Sequence, residues 1–265
     1  MTRNNRIFRG KTKTQTKYKS LVGRRIFLII LLFILCGIFV FSTYTLARRY
    51  KDNSYQAAIF QTIQEKVVDE KIQDPSVDFN YIDIDKLIAI NKDVVGFIQI
   101  PDTTISFPIL QSTDNSYYLD KDITKKYNIN GSIFMDFKNN ADFSDDNVVI
   151  FGHNMHNGNM FNPLLKVVDG SLGNKIYINI CTREYNMKYV VYASYYNEPT
   201  IDPIRTTLKN KKAFINETLE KSLVEFDHPK LNGDSHILTL STCNMTGKKR
   251  TIVHAVRAIR VKRDH

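Results

Sequence analysis

The sequence predicts a mainly β domain, a largely antiparallel sheet or barrel, behind a single long apolar segment near the N-terminus. Eight short strand-like runs follow Asn91, and most have no helix between them, which argues against alternating parallel units. Alternating apolar residues, as at Ile105, Phe107 and Ile109, are typical of strands with one buried face. The runs are 94–100, 105–110, 131–135, 147–151, 175–182, 188–196, 235–242 and 251–261.

Positive charge is concentrated ahead of the predicted domain. The formal net charge of the 265 residues is +10. Residues 1–51 contain 12 Lys and Arg and no Asp or Glu, so the remaining 25 basic and 27 acidic side chains sum to −2. A nearly neutral domain lacks the positive surface that is typical of nucleic-acid binding. The sequence therefore predicts no nucleic-acid partner.

The first 47 residues predict a membrane anchor. Residues 1–25 hold nine Lys and Arg and are predicted to be a basic, disordered cytoplasmic tail. Residues 26–47 carry no charge, and a transmembrane helix of that length reaches about 33 Å, enough to cross a hydrocarbon core of about 30 Å. A cleaved signal peptide is the alternative, but the apolar block is longer than a usual signal core. Because more basic residues precede the block than follow it, we expect the N-terminus in the cytoplasm and the remainder outside the cell membrane.

Residues 48–82 are predicted to be an extracytoplasmic linker that contains an N-terminal helix. Apolar residues recur at every fourth position, at Tyr55, Ile59, Ile63 and Val67. This spacing indicates an amphipathic helix over residues 53–71, either docked on the domain or serving only as a spacer. Asp74-Pro75 is expected to end it, because a residue before proline is disfavoured in a helix.

Two further helices are predicted within the domain. Residues 84–90 form a short helix, with Asp83 as its N-cap. Residues 206–226 carry apolar side chains near helical spacing, which predicts a long helix between the sixth and seventh strands.

The three cysteines, Cys36, Cys181 and Cys243, argue against a disulfide scaffold and have no metal-ligand spacing. Cys181 follows a strand-like run, where packing is the expected role. Cys243 ends a run in which Thr239 and Ser241 share its polar face. A free cysteine in such a run is more often buried than reactive, so spacing alone leaves both roles open.

Histidines and acidic residues supply the other candidates. His153 ends an apolar strand after Gly152, where a side chain can enter a cleft or simply occupy a turn. His254 shares strand parity with Ile252 and is expected to be packed, whereas His236 is expected only to open a strand. The acidic residues are Asp142, Asp145 and Asp146. We predict a solvated loop there, because the Gly and bidentate Glu of a calcium loop are missing.

Several motifs resemble those of the sortases, and of class B sortases in particular. Thr239–Cys243, a short polar loop and then Arg250-x-x-Val-His-Ala resemble the family's active-site hairpin. Val148–Asn154 resembles the strand-end Gly-His that supplies the family's catalytic histidine. Val95–Ile98 and Phe107–Gln111 also resemble sortase strands. Motifs in the family's order are far more specific together than any one of them alone.

The resemblance covers roughly residues 85–262 and implies the sortase-type eight-stranded β-barrel, with the long helix between strands 6 and 7. Residues 83–265 would then be the catalytic domain. It also implies a membrane-anchored cysteine transpeptidase of a Gram-positive bacterium that needs no cofactor and no metal. Its implied partners are surface proteins that bear a sorting signal, and an amine of peptidoglycan or of a cell-wall precursor.

Carried over residue by residue, the resemblance implies that Cys243 attacks the Thr carbonyl of an Asn-Pro-x-Thr sorting signal. His153 would act first as general acid and then as general base, and Arg250 would stabilise the transition state. A shift of one residue in register would give that last role to Lys249. Two further residues are predicted to bind the signal, Ser241 and Thr242.

Three alternatives remain open from the sequence. A thiol hydrolase shares the acyl-enzyme and differs only in whether water is excluded. A non-enzymatic surface scaffold would leave the placement of Cys243, His153 and Arg250 unexplained. A pilin-polymerising class C sortase usually carries an Asp-Pro-aromatic lid, and Asp74-Pro75-Ser76 lacks the aromatic.

Overall fold

The computed structural model describes residues 10–74, 79–155, 158–198, 204–243 and 249–263. It describes side chains for residues 23–48, 50, 51, 54, 82–155, 158–198, 204–242 and 249–263. The chain divides into two compact units, Met1–Ser54 and Tyr55–His265. Where it is described, the first unit is helical, and the second unit holds all of the strands.

The N-terminal helix, α1, covers Gly10–Val67. Within the described residues, Gly23–Arg48 is the one segment that is long and apolar enough to cross a membrane. The prediction of a disordered tail over residues 1–25 is wrong for residues 10–25, which are helical. Once an apolar helix has nucleated, its propagation into flanking residues costs little, so local polarity alone does not end it.

A two-stranded sheet follows α1, and the sequence did not predict it. Strand β1, Val68–Asp74, pairs antiparallel with β2, Phe79–Ile82. The predicted continuation of the helix to Lys71 is therefore wrong, because these residues hydrogen-bond through their backbone to a neighbouring strand instead. The side chains of the predicted apolar stripe lie outside the described ones, so its docking stays a prediction.

All eight predicted runs are strands, and they close into a barrel. Their bounds are β3 Val94–Gln99, β4 Ser106–Leu110, β5 Ile133–Met135, β6 Asn147–His153, β7 Tyr177–Cys181, β8 Tyr185–Asn197, β9 Ile237–Cys243 and β10 Arg250–Lys262. Around the barrel the order is β10-β8-β7-β3-β4-β5-β6-β9. The pairs β4·β5 and β6·β9 are parallel and the other pairs are antiparallel, so the predicted barrel is confirmed.

Alternate residues of the barrel strands point inward and form one apolar cluster. Ile150, Leu240 and Val253 are fully buried in it. The helical elements beside the barrel are α2 Ile84–Ile90, a 3₁₀ turn Tyr117–Leu119, α3 Leu164–Val168 and α4 Lys211–Lys221. Side chains of α2 and α4 pack in two separate clusters with outward-facing strand residues. The outer face of the barrel is therefore covered in places by these two clusters.

Helix α4 lies between the sixth and seventh barrel strands, as predicted, but is shorter than the predicted 206–226. The side chain of Asn210 caps its start by accepting a hydrogen bond from the backbone N–H of Ala213 at 3.0 Å. Ser222 ends it by adopting an extended backbone, with φ −63° and ψ 132°. Apolar residues on both flanks still pack against the barrel, which explains why their spacing resembled that of a helix.

Replacing Asp83 by Ala should lower the free energy of unfolding by about 1 kcal/mol, because the N-cap of α2 is lost. Asp83 accepts from the backbone N–H of Lys86 at 3.1 Å. Burial raises the pKa of Asp83, but hydrogen bonds from Lys86 and its charge outweigh burial and lower the pKa overall. The contribution is thus present above the unfolded-state pKa and is lost as pH falls through the lowered folded-state pKa. Urea unfolding at neutral and acidic pH measures both effects.

Asp85→Ala is the matched control in the same helix turn. Asp85 makes an exposed ion pair with Arg183 at 2.9 Å, so its loss should cost at most about 0.5 kcal/mol. Equal losses in the two variants would contradict the capping role of Asp83.

Candidate active site

Three neighbouring barrel strands have ends that lie level at one rim. In the parallel pair β6·β9, His153 is the backbone partner of Cys243. In the antiparallel pair β9·β10, Ile252 is the partner of Ser241. Continuing that register by two residues brings Arg250, the first residue of β10, level with Cys243. His153, Cys243 and Arg250, the three residues predicted to be catalytic, therefore form a row across three strands, which we call the catalytic row after that prediction.

The catalytic row lies on the outer face of the barrel. Because side chains alternate along a strand, the interior residues Ile150 and Leu240 identify the opposite face. Cys243 has the outward parity in β9, and its side chain is outside the described ones. Leu238 and Leu240 pack in the interior cluster as predicted, whereas Thr239 and Ser241 have the opposite parity and are also buried, so the second face of this strand is not exposed.

The two predicted signal-binding residues have different surroundings. Ser241 shares the outward parity of Cys243 and is fully buried. Thr242 has the inward parity, and its hydroxyl accepts a hydrogen bond from the backbone N–H of Thr251 at 2.9 Å. This bond ties β9 to β10 directly beside the catalytic row, a geometry that suits bracing of the hairpin better than contact with a substrate.

His153 forms a hydrogen bond through one ring nitrogen, and its other ring nitrogen has no partner among the described residues. Its Nε2 lies 2.6 Å from the carbonyl oxygen of Leu119. A carbonyl can only accept, so Nε2 carries the proton, and Nδ1 of the neutral imidazole holds a lone pair. Nδ1 is buried and has no hydrogen-bond partner among the described residues. In the neutral tautomer, Nδ1 is therefore the ring nitrogen that is left to accept a hydrogen bond from a further group.

The Leu119 carbonyl is held in place by the 3₁₀ turn that contains it. The neighbouring Tyr118 carbonyl accepts from the backbone N–H of Ser132 at 3.0 Å, and the Tyr118 hydroxyl donates to Asp93 at 2.6 Å. Burial, and then the hydrogen bond to Asp93, raise the pKa of Tyr118, so the phenol stays protonated as a donor. This support cannot be predicted from the sequence, because a backbone carbonyl carries no signal in residue identity.

Arg250 is half-buried at the start of β10, where its backbone pairs with that of Asn197 in β8. Its guanidinium is charged at any physiological pH and offers five donors. Lys249 precedes it, outside the strand, and is exposed. The register thus places Arg250, and not Lys249, level with Cys243.

Two of the other candidates are packed as predicted. Cys181 is 1% exposed and belongs to an apolar cluster that includes Phe97. His254 is buried, and both of its ring nitrogens have hydrogen-bond partners.

Asp142, Asp145 and Asp146, the carboxylates considered as calcium ligands, each form a hydrogen bond or an ion pair with a nearby residue. The partners are Ser144 for Asp142, Asn140 for Asp145 and Lys211 for Asp146. Within the described part of the chain, no group of three or more His, Cys, Asp or Glu side chains could hold a metal ion. The carboxylates therefore serve the turn and the ion pair that surround them.

Comparison with known proteins identifies the family. A model of the sortase domain matches residues 98–258. Sortase B of Listeria monocytogenes is 31% identical over 238 residues, which cover 86% of this chain and 92% of that protein. Sortase B of Staphylococcus aureus is 29% identical over 221 residues, which cover 82% and 89%. A solved structure of a Bacillus anthracis protein similar to sortase B has a TM-score of 0.65 at 32% identity, covering 81% of this chain and 98% of that one.

A closed eight-stranded barrel with these relatives defines an enzyme of the sortase type. The chain belongs to the sortase family and, within it, to class B. It is therefore a sortase transpeptidase, which confirms the family, the fold and the enzyme class that its motifs predicted.

Replacing Gly131 by Ala should reduce peptide cleavage about tenfold or more, because it displaces the support of His153. Gly131 has a φ of +56°, and an added Cβ would overlap the Leu119 carbonyl oxygen and lie 2.7 Å from the Tyr118 oxygen. Steady-state cleavage of a sorting-signal peptide, with circular dichroism to establish folding, measures the effect.

Gly173→Ala is the matched control. Gly173 also has a positive φ, of +83°, but a Cβ there meets nothing within 4 Å. Both variants incur backbone strain of about 1 kcal/mol, and only Gly131→Ala should lose activity. Equal activity in the two variants would contradict the role given to the Leu119 carbonyl.

Proposed function

We propose that this sortase cleaves a C-terminal sorting signal of the Asn-Pro-x-Thr type after its Thr and joins the exported protein to a peptidoglycan amine. The catalytic row of His153, Cys243 and Arg250 is the observation that carries the proposal. A thiol, an imidazole and a guanidinium at adjacent strand ends can act on the same substrate carbonyl.

Acylation uses all three residues. His153 Nδ1 takes the thiol proton of Cys243, and the thiolate attacks the carbonyl carbon of the signal's Thr. As the C–S bond forms, an electron pair moves onto the carbonyl oxygen, where the Arg250 guanidinium donates hydrogen bonds to the oxyanion. Collapse of this intermediate breaks the peptide C–N bond, and the imidazolium gives its proton to the leaving amine.

Deacylation reverses these roles with a second amine. The neutral imidazole of His153 takes a proton from the incoming amine as that amine attacks the thioester carbon. The new C–N bond forms, the C–S bond breaks, and the Cys243 sulfur leaves as the thiolate. Water in place of the amine would give an acid product, so exclusion of water decides between transfer and hydrolysis.

The two residues before Cys243 are proposed to support the signal in different ways. Ser241 shares the outward parity of the catalytic row and is fully buried, so it would support the backbone beneath the bound signal and not contact the signal from an exposed surface. Thr242 would act indirectly, because its bond to Thr251 holds the two strands of the hairpin together.

The N-terminal segments are proposed to anchor the enzyme in the cell membrane. Gly23–Arg48 has the length and composition of a spanning helix, and the greater number of basic residues ahead of it favours a cytoplasmic N-terminus. Residues 1–25 would form the cytoplasmic tail, residues 48–82 the extracytoplasmic linker and residues 83–265 the catalytic domain. That arrangement brings the barrel to surface proteins as they are exported.

Full-length protein in detergent micelles should cleave members of a fluorescence-quenched Asn-Pro-x-Thr peptide library and form an amide when an amine is added. Cys243→Ala should reduce the rate at least about 1,000-fold, because the acyl-enzyme cannot form. Cys181→Ala is the matched control, because it removes a buried thiol from β7, a strand that is not adjacent to β6 or β9 and does not belong to the catalytic row. Acid product alone would favour a thiol hydrolase, and absence of cleavage across the library would refute the proposed signal.

Arg250→Lys should lower kcat/KM about 10- to 100-fold, because an ammonium keeps the charge but loses the planar fork of donors. Lys249→Ala should stay within about twofold of the natural enzyme, since that side chain is exposed outside the strand. The same peptide assay measures both variants. If Lys249→Ala is the damaging change, the hairpin register differs by one residue from the one that supports this mechanism.

A further inference from the structure

We propose that a buried hydrogen-bond chain centred on Thr239 and His254 positions the strands that carry Cys243 and Arg250. Thr239 and His254 are register partners in β9 and β10. Each has the outward parity and lies four residues along its strand from the catalytic row. The inference rests on the proposed function, and it assigns Thr239 and His254 as positioning residues.

The direction of every bond in this chain follows from its chemistry. Asn147 donates from Nδ2 to the carbonyl of Arg205 at 2.6 Å, so its Oδ1 faces Thr239. The Thr239 hydroxyl donates its one proton to that Oδ1 at 2.7 Å and accepts from Nδ1 of His254 at 2.9 Å. In the neutral imidazole Nε2 then accepts, and the Tyr195 hydroxyl, 3.0 Å away, is its donor.

The chain crosses the strands that form the active-site rim. Asn147 begins β6, the strand that ends at His153, and Tyr195 lies in β8, beside β10. The bonds therefore link β6 to β9, β9 to β10, and β10 to β8. The four polar side chains of this hydrogen-bond chain are nearly or fully buried. They are Asn147, Thr239, His254 and Tyr195.

Aromatic packing leaves the His254 ring little freedom to turn. Tyr192 stacks on it with ring centroids 5.9 Å apart, and Phe214 meets it edge-on at 5.4 Å. A ring restrained in this way keeps its two nitrogens aimed at Thr239 and Tyr195. The polar chain can thus hold the strands in one register with a precision that apolar packing, which is non-directional, does not supply.

Loss of the central hydroxyl should disturb the strands and not only weaken the fold. Without the Thr239 oxygen, the buried Nδ1–H of His254 loses its acceptor and Oδ1 of Asn147 loses its donor. Buried groups that lose their partners shift toward new ones, because leaving them unsatisfied is costly. A small displacement of β9 against β10 would move the Cys243 and Arg250 positions relative to each other, and misplacement of that kind slows chemistry.

Thr239→Val is the decisive variant, because valine keeps the shape and the strand preference of threonine while removing the hydroxyl. Thr218→Val is its matched control. Thr218 is equally buried, and its hydroxyl lies 3.2 Å from that of Tyr192 and donates to the Ile215 carbonyl at 2.9 Å. Thr218 lies on α4, and neither of its hydrogen bonds is one of those that link β6, β9, β10 and β8.

The full-length protein in detergent is assayed in two ways. The first is cleavage of the preferred signal peptide, with kcat and KM determined separately and thermal unfolding measured alongside. The second is the pH profile of Cys243 alkylation by iodoacetamide, followed by mass spectrometry of the Cys243 peptide so that Cys36 and Cys181 do not contribute. The second assay needs no substrate, so it still tests the hydrogen-bond chain if the proposed signal is incorrect.

We expect Thr239→Val to lower kcat about tenfold, with KM within about twofold, and to move the alkylation profile to higher pH. Thr218→Val should lower the unfolding temperature while kcat and the alkylation profile stay as in the natural protein. Identical kcat and alkylation profiles in the two variants would overturn the proposal. If the natural protein cleaves no signal but the alkylation profiles of Thr239→Val and Thr218→Val still differ, the proposed function is rejected and the hydrogen-bond chain keeps its positioning role.

A second pair of variants keeps the test decisive if Thr239→Val does not fold. Tyr195→Phe removes the hydroxyl that donates to Nε2 of His254, and Tyr192→Phe removes a buried hydroxyl that lies outside the chain. We expect kcat about threefold lower in Tyr195→Phe and unchanged in Tyr192→Phe. Equal kcat values in this pair would also overturn the proposal.

Discussion

The pairing of β6 with β9, and of β9 with β10, is the constraint on which the active site depends. A slip of one residue in either pair would turn every side chain of the slipped strand to the opposite face of the sheet. The interior cluster opposes such a slip, because Ile150, Leu240 and Val253 would leave the core. Apolar packing inside the barrel therefore opposes a one-residue slip of the strands that carry His153, Cys243 and Arg250, and the hydrogen bonds of Thr239 and His254 limit smaller displacements.

Two histidines on the outer face of this barrel show how neighbours decide what an imidazole can do. Nε2 of His153 donates to the Leu119 carbonyl, and Nδ1 is buried with no hydrogen-bond partner among the described residues, which suits the proposed role of proton acceptor. His254 has a hydroxyl partner at each nitrogen and stands within stacked aromatic rings, as a rigid support requires. The neutral forms are opposite tautomers, with the proton on Nε2 of His153 and on Nδ1 of His254.

The supports of the site come from elements far apart in the chain. The 3₁₀ turn that presents the Leu119 carbonyl is itself tied, through Tyr118, to the residues that follow α2. On the other side of the catalytic row, Tyr195 of β8 completes the bonds of His254. The hydrogen bonds of His254 are buried and the bond between Tyr118 and Asp93 is partly buried, and burial strengthens the hydrogen bonds that it encloses. The contacts of Tyr118 on one side and of His254 on the other thus support the positions of the residues in the catalytic row.

The sequence by itself determined the eight strands, the α2 helix with its Asp83 cap, the apolar N-terminal segment and the family, because alternation, capping and motif spacing are local properties of the chain. Only the tertiary structure decided the β1–β2 pairing, the true ends of α4, and the contacts that orient His153 and His254. The His153 contact spans 34 residues and ends on a backbone carbonyl, and the Asn147–Thr239 bond spans 92 residues. Such contacts form only when the barrel closes, and no local pattern of residue types specifies them.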